Sequence, residues 1–397
     1  MEISEALLAQ QQVVRLQALL EASRQLHSTI ELNEVLRITL QIVVRELELT
    51  GAFFTTFPQT YGDVSPFLQA SLNAGSTEPI DAMSFLPSLL RFPLCDKTGV
   101  SFTELIVLLP PDRILDLDET DFLEALSMQA AVAIENARFH ERALQWQRVE
   151  SDLAAARQVQ LSLIPQQMPK IPNYDIAARS VTCYEVGGDY LDIVSMPSGK
   201  TIIVVGDVAG KGLASALVGT SFRSALRAMA QANLSLFDIA TQMNLLHYSE
   251  GSESRRRYVT AIILLLDPST HSLQVLNAGH NPAFLLSNDG FLRKITASGT
   301  PIGILPFSSY VPETFILEPG ARLLVYTDGM TEVFCGEEEF GESRLLESFL
   351  SCGEPTAGQT LDILWQTLKA FSDGYEQSDD MTALVLFRNH DGDAIDG

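Results

Sequence analysis

Ile202-Ile203-Val204-Val205-Gly206-Asp207-Val208-Ala209-Gly210-Lys211-Gly212 is the stretch whose reading decides the fold. Four consecutive apolar residues read as a strand buried on both faces. Glycines then break the pattern, and a helix is expected from Leu213 onward. Asp207 thus falls where a stiff strand ends and a flexible turn begins, held by scaffold yet open to a ligand. Two phosphate-loop readings are weak. A Walker loop needs four residues between its first glycine and the Gly-Lys pair, then Ser or Thr. Here three residues separate Gly206 from Gly210, and Gly212 replaces the hydroxyl. A dinucleotide fingerprint needs a third glycine where Ser215 stands. A carboxylate on a glycine turn suits a hard metal ion better.

The 397 residues suffice for two or three domains. Hydrophobic content of 46% and a mean hydropathy of +0.13 indicate globular protein. No apolar run approaches the ~20 residues of a membrane span. Glu2 and Glu5 replace the basic start of a signal peptide. Cys95, Cys183, Cys335 and Cys352 have neither disulfide-framework nor zinc spacing, so a reducing cytoplasm is expected. The net charge of −24 repels a polyanionic backbone, which argues against nucleic acid. It also repels a phosphorylated substrate unless bound cations reverse the local sign.

Residues 1 to about 50 read as helix, with Leu16, Leu19, Leu20, Leu26 and Ile30 at helical spacing. Strands are expected at 51–57 and 102–109. Between them, 58–99 reads as loop with a short helix near 85–91. A long helix follows from about 119 to 163. Its seam of Leu144, Val149, Leu153, Ala156 and Leu163 is only approximately heptad, so a signalling coiled coil and a self-packed linker both remain open. Pro165, Pro169 and Pro172 end it. Strands are then expected at 174–180, 181–186, 191–196, 201–205, 258–266, 273–278, 283–287, 291–295, 314–317, 322–326 and 381–387. Helices are expected near 213–231, 235–249, 342–351 and 357–372. Hairpin-joined strands with helices in blocks predict an antiparallel α+β sandwich.

Four acidic positions flank hydrophobic strands at marked turns. Asp189 follows Val186-Gly187-Gly188, Asp207 follows the opening strand, Asp328 precedes Gly329, and Asp379-Asp380 precede the last strand. A lone Asp-Gly is usually just a turn, but four such sites in one domain are harder to dismiss. If they converge, like charges cost several kcal/mol unless cations intervene. Oxygen-only ligation favours magnesium or manganese over zinc. Two such ions ~4 Å apart activate water against a phosphoryl group. Neither a Gly-x-Ser-x-Gly elbow nor a reactive-cysteine setting offers a side-chain nucleophile.

Val-Gly-Gly-Asp-Tyr at 186–190, Gly-Asp-Val-Ala-Gly-Lys-Gly at 206–212, Gly-His-Asn-Pro at 279–282, Tyr-Thr-Asp-Gly at 326–329 and Asp-Asp-Met-Thr at 379–382 resemble the ordered motifs of SpoIIE-like serine/threonine phosphatases, the bacterial branch of the metal-dependent PPM phosphatases. Residues 157–165 resemble the segment entering that domain. The resemblance implies an α-β-β-α sandwich of two mainly antiparallel sheets, with two divalent cations, manganese or magnesium, at one end. It implies that Asp207 bridges both ions with the Val208 carbonyl beside it, that Asp189 serves one ion, and that Asp328 and Asp379 serve the other. Asp380 is carried as a metal residue too, since the resemblance does not separate the adjacent pair. Upstream, Ala-Val-Ala-Ile-Glu-Asn-Ala-Arg at 131–138 closes a segment that resembles a GAF domain.

The resulting expectation is an N-terminal helix (1–20), a GAF-like sensor or dimerisation domain (21–140), a helical linker (141–165) and a SpoIIE-like phosphatase domain (166–390). The expected substrate is a phosphorylated STAS-type anti-sigma-factor antagonist. The expected assembly is a homodimer through the N-terminal and linker helices, with no nucleic-acid or membrane partner. The alternative is a non-catalytic scaffold that binds phosphoprotein. Among other residues, His280 reads first as a strand-turn cap, Lys211 as outward-pointing, Glu332 as a first-turn helix residue, and Arg255-Arg256-Arg257 as a solvated loop.

Overall fold

The computed structural model describes residues 13, 16–65, 89–165, 167–252, 256–353 and 356–390. It divides into two compact units, Met1–Val149 and Glu150–Gly397.

In the first unit, helical residues 16–26 and helix α1 (Leu32–Glu46) pack on a four-stranded antiparallel sheet of order β2-β1-β4-β3. Its strands are β1 (Gly51–Phe54), β2 (Thr60–Gly62), β3 (Leu89–Cys95) and β4 (Ser101–Leu108). Helix α2 (Leu117–Leu163) begins here, and its Leu123, Leu126, Ala130 and Ile134 join Leu36, Leu40, Phe54, Leu105 and Val107 in one core. The expected single helix to residue 50 is broken at 27–31. The expected 58–99 loop contains β2 and β3. Pro93 misleads there, because β3 is an edge strand bonded only to β4, where a missing N–H is tolerated. Of the short helix expected near 85–91, residues 89–91 are strand, and 85–88 lie outside the described residues.

The second unit is four layers. With β9 (Ser272–Ala278), β10 (Ala283–Leu286), β11 (Leu292–Ile295) and β12 (Glu313–Ile316), one five-stranded antiparallel sheet has order β12-β9-β8-β7-β6 and the other β11-β10-β13-β16-β5, while β14 (Phe334–Cys335) and β15 (Glu338–Glu339) pair separately. The strands that position the site are β5 (Tyr174–Val181), β6 (Asp189–Ser195), β7 (Thr201–Val208), β8 (Val259–Asp267), β13 (Arg322–Tyr326) and β16 (Met381–Arg388). Strand β7 shows why the layers form. Its Ile203 and Val205 meet Ile262, Leu264, Val325 and Leu384 between the sheets. Its Ile202 and Val204 meet Phe222, Leu226, Ile239 and Met243 from helices α3 (Leu213–Gln231) and α4 (Leu236–Ser249). Both faces are buried, as four apolar residues in a row require. Helices α5 (Gly341–Leu350) and α6 (Ala357–Ser372) cover the other sheet, with Leu345, Phe349, Leu361 and Leu364 on Phe284, Leu324 and Val385. Each fully buried Leu, Ile or Phe contributes roughly 1.5–3 kcal/mol. Ser235 caps α4, and Thr356 with Gln359 forms a capping box on α6.

Two expectations need correction. Strand β7 runs on through Asp207 to Val208, so Asp207 is a strand residue paired with Asp189 and Thr260, and the turn begins at Ala209. Of the strand expected at 181–186, Val181 is the last residue of β5 and 182–186 are a loop, bent around the Asp380 side chain.

Candidate active site

The antiparallel register of β6 and β7 sets Asp189 directly opposite Asp207. Strands β13 and β16 are neighbours in the other sheet, with Tyr326 opposite Ala383, so Asp328 just after one and Asp379-Asp380 just before the other share an end. Hydrogen bonds from Thr327 to Asp189 and from Gly188 to Asp380 tie the two sheet ends together. Thr327 Oγ1 donates to Asp189 Oδ2 (2.8 Å), and the Thr382 N–H donates to Thr327 Oγ1 (2.9 Å). The Asp380 carboxylate accepts from the Cys183 N–H (2.7 Å) and the Gly188 N–H (2.6 Å). The motif glycines follow from these approaches. A Cβ on Gly187 would stand 2.5 Å from Asp380 Oδ2, and one on Gly329 would collide with the Asp380 carbonyl.

Gathering carboxylates has an electrostatic cost that their titration registers. Burial, reinforced by Asp328, Asp379 and Asp380, pushes the Asp207 carboxyl up to about 7. Burial and then Asp207 hold Asp189 well above the usual carboxylate range. Burial followed by Asp379 raises Asp328. Glu332 is raised by burial and then by Asp328 and Asp379, so it faces the same cluster. That role was not legible in the sequence, where Glu332 reads as an ordinary first-turn acid. Lys211 also differs from expectation. Its Nζ lies 2.8 Å from Asp379 Oδ2 and donates to the Ser378 carbonyl (3.0 Å). The pull of the acidic cluster outweighs the unfavourable helix dipole that suggested an outward direction.

The donors suit a hard cation at one point in particular. Where a side chain on Gly188 would begin, Val208 O lies 2.9 Å away, Asp207 Oδ1 3.1 Å and Gly210 O 3.5 Å. A glycine here leaves room for three converging oxygens, the donor chemistry of magnesium or manganese sites. Val208 O is a candidate from the sequence; Gly210 O is an addition. Among the described residues, no three His, Cys, Asp or Glu side chains are already grouped closely enough to grip an ion. The carboxylates are engaged with the chain instead: Asp189 with Thr327, Asp379 with Lys211, and Asp380 with two backbone amides.

Other conspicuous residues serve the frame. His280 is buried, and burial pushes its imidazole down to about 4, so it is neutral at pH 7. Its Nδ1 lies 2.9 Å from Thr260 Oγ1, on the strand that faces Asp207. Asp192 is fully buried and accepts two bonds from Arg227 (2.7 and 2.6 Å) and one from Tyr190 OH (3.0 Å). Near the C-terminal end of α2, Gln160 brackets the Gly187 peptide: its Nε2 donates to Gly187 O (2.7 Å), and its Oε1 accepts from the Gly187 N–H (3.1 Å). This bracket lies two residues before Asp189.

Two antiparallel sheets between two helical layers, with paired acidic strand ends at one edge, define a PPM-type (PP2C-like) fold. The family described as Stage II sporulation protein E (SpoIIE) matches residues 197–389. The protein IcfG of Synechocystis is 26% identical over 264 residues, covering 60% of this chain and 42% of IcfG. The phosphoserine phosphatase RsbU of Bacillus subtilis is 26% identical over 248 residues, covering 61% of this chain and 71% of RsbU. The chain thus spans less than half of the length of IcfG. Among solved structures, the PP2C domain of SiaA from Pseudomonas aeruginosa superposes with a TM-score of 0.54 at 20% identity, covering 62% of this chain and 99% of that one. Residues 197–389, in the C-terminal half of this chain, thus resemble the SpoIIE family and take a PPM-type fold.

Proposed function

We propose that the chain is a protein phosphatase that hydrolyses phosphoserine or phosphothreonine on another protein with the help of two divalent cations, manganese or magnesium. The observation that carries this reading is the convergence of Asp189, Asp207, Asp328 and Asp379 on one end of the sandwich, beside the oxygen cradle under Gly188. Asp207, Val208 O and Gly210 O would hold one ion. Asp189 would complete that position, Asp207 would be shared, and Asp328 and Asp379 would hold the second, with Asp380 fixing the loop beneath them. Bound ions of this kind activate water and neutralise phosphoryl charge. The chain's own part is orientation: Thr327 fixes the Asp189 carboxylate, and Lys211 holds Asp379 at the mouth.

The proposed substrate is a phosphorylated STAS-type anti-sigma-factor antagonist, supported by the likeness to RsbU. The N-terminal unit, read as a GAF-like module, would regulate the domain through α2, whose Gln160 grips the peptide beside Asp189. Phe139, Leu144, Trp146 and Val149 are exposed on that helix, which supports a coiled-coil homodimer. The test is to incubate the chain with phosphorylated STAS proteins and manganese. Phosphate release should fall by roughly a hundredfold or more in Asp207→Asn. Undiminished turnover by that variant would sink the reading.

A further inference from the structure

Beside the carboxylate cluster lies a small site of opposite sign. Helix α3 is 19 residues long, and its N-cap, Gly212, supplies no side-chain cap; no acidic residue occupies the first turn. Its amides therefore present the positive end of the helix dipole to the turn after Asp207. Two side chains point to the same spot. A Cβ built on Gly210 would stand 2.7 Å from Arg257 Nη1 and 3.6 Å from Ser215 Oγ. Ser215 is fully buried, and its hydroxyl has no hydrogen-bond partner among the described residues. A buried hydroxyl without a partner is uncommon and calls for a ligand or another explanation. Gly210 has φ +98° and no side chain, so the space over it is kept for the guanidinium.

Arg257 is placed, not stray. The buried His247 ring donates through Nε2 to its carbonyl (2.9 Å), and the Ala209 N–H donates to the next residue's carbonyl, Tyr258 O (2.9 Å). The turn after Asp207 and the segment carrying Arg257 are therefore joined by backbone. The Gly210 carbonyl on that turn belongs to the oxygen cradle described above.

We propose that Arg257, Ser215 and the α3 N-terminus form the subsite for the substrate's phosphoryl oxygens. An oxyanion entering between Arg257 Nη1 and Ser215 Oγ meets one charged donor, one hydroxyl donor and the helix amides, the set that suits a tetrahedral dianion. Arg257 is then a positioning and affinity residue that offsets the repulsion of an acidic chain for a phosphorylated substrate. This assignment rests on the phosphatase reading for its substrate, but its physical content, oxyanion binding that depends on Arg257, is measurable separately.

Inorganic phosphate is titrated into the full chain with saturating manganese by calorimetry, and KM and kcat are measured with p-nitrophenyl phosphate. Arg257→Ala should weaken phosphate binding and raise KM by about tenfold or more, with a smaller fall in kcat. Arg257→Lys should recover part of the loss, and Ser215→Ala should weaken phosphate binding by a few-fold. Manganese affinity, titrated on the same variants, should stay at the wild-type value. Wild-type phosphate affinity in Arg257→Ala would overturn the subsite, as would a parallel loss of manganese and phosphate binding. A wild-type chain that binds phosphate through Arg257 yet hydrolyses no phosphomonoester supports the subsite and refutes the phosphatase reading. Turnover with phosphate binding indifferent to Arg257 does the reverse.

Discussion

Replacing Asp207 by asparagine should stabilise the cation-free protein while abolishing the stabilisation that cations give it. The Asp207 carboxyl is raised from 3.8 to about 7, first by burial and then by Asp328, Asp379 and Asp380. Because the folded carboxyl holds its proton more tightly than the unfolded one, the native state is favoured below about pH 4 and loses that advantage as pH rises through about 7. The rise corresponds to an upper bound of about 4 kcal/mol above pH 7, since one pKa unit is worth about 1.4 kcal/mol. Asparagine carries no charge at any of these pH values. At pH 8 in EDTA, Asp207→Asn should therefore melt higher than wild type in the C-terminal transition. At about 2–4 °C per kcal/mol for a domain of this size, the gain is about 5–15 °C. The two proteins should converge near pH 4. Manganese should raise the wild-type transition by mass action and leave the variant nearly unmoved. Scanning calorimetry from pH 4 to 8.5, with and without manganese, reads all of this. A variant less stable than wild type at pH 8 in EDTA would refute the claim that gathered charge strains this site.

Gly188→Ala places a methyl group within 3.1 Å of both Val208 O and Asp207 Oδ1, so manganese affinity by calorimetry should fall about tenfold or more while circular dichroism stays native. Lys211→Met removes the ammonium from Asp379 Oδ2, and manganese should bind several-fold more tightly; unchanged affinity would show that the ion pair does not compete. Asp380→Ala leaves the Cys183 and Gly188 amides without their acceptor, a loss of about 2–4 kcal/mol in urea unfolding. Arg227→Ala strips the fully buried Asp192 of its bidentate partner and should destabilise by about 3–5 kcal/mol, with manganese affinity retained.

The layers and the acidic strand ends were legible because both rest on local signals. Ile202 to Val205 announce a doubly buried strand, and hairpin glycines mark where the chain reverses. The rest depended on partners distant in sequence. Thr182 to Val186 continues the strand composition of β5, yet it is a loop in which the Cys183 amide donates to Asp380, 197 residues further on. The glycine at 206 suggested that β7 ended there, but pairing with β6 and β8 on either side carries the strand past it to Val208. A helix dipole worth a fraction of a kcal/mol favours an outward Lys211, but the acidic cluster that only folding assembles draws its ammonium to Asp379. Glu332 carries no motif of its own, and the Gly210 carbonyl, though within the 206–212 motif, gains its meaning only from the oxygens around it. In the N-terminal unit, an edge position let Pro93 sit inside a strand.

The double-sided packing of β7 limits how such a chain can change over evolutionary time. Sliding the strand by a single residue would exchange its two faces, send Ile203 and Val205 toward the helices, and put Gly206 or Val208 where Asp207 now faces Asp189. One added or lost codon between Thr201 and Val208 thus erases chemistry and architecture together, so descendants of this gene should vary in length at their hairpin tips and hold this segment to a fixed count.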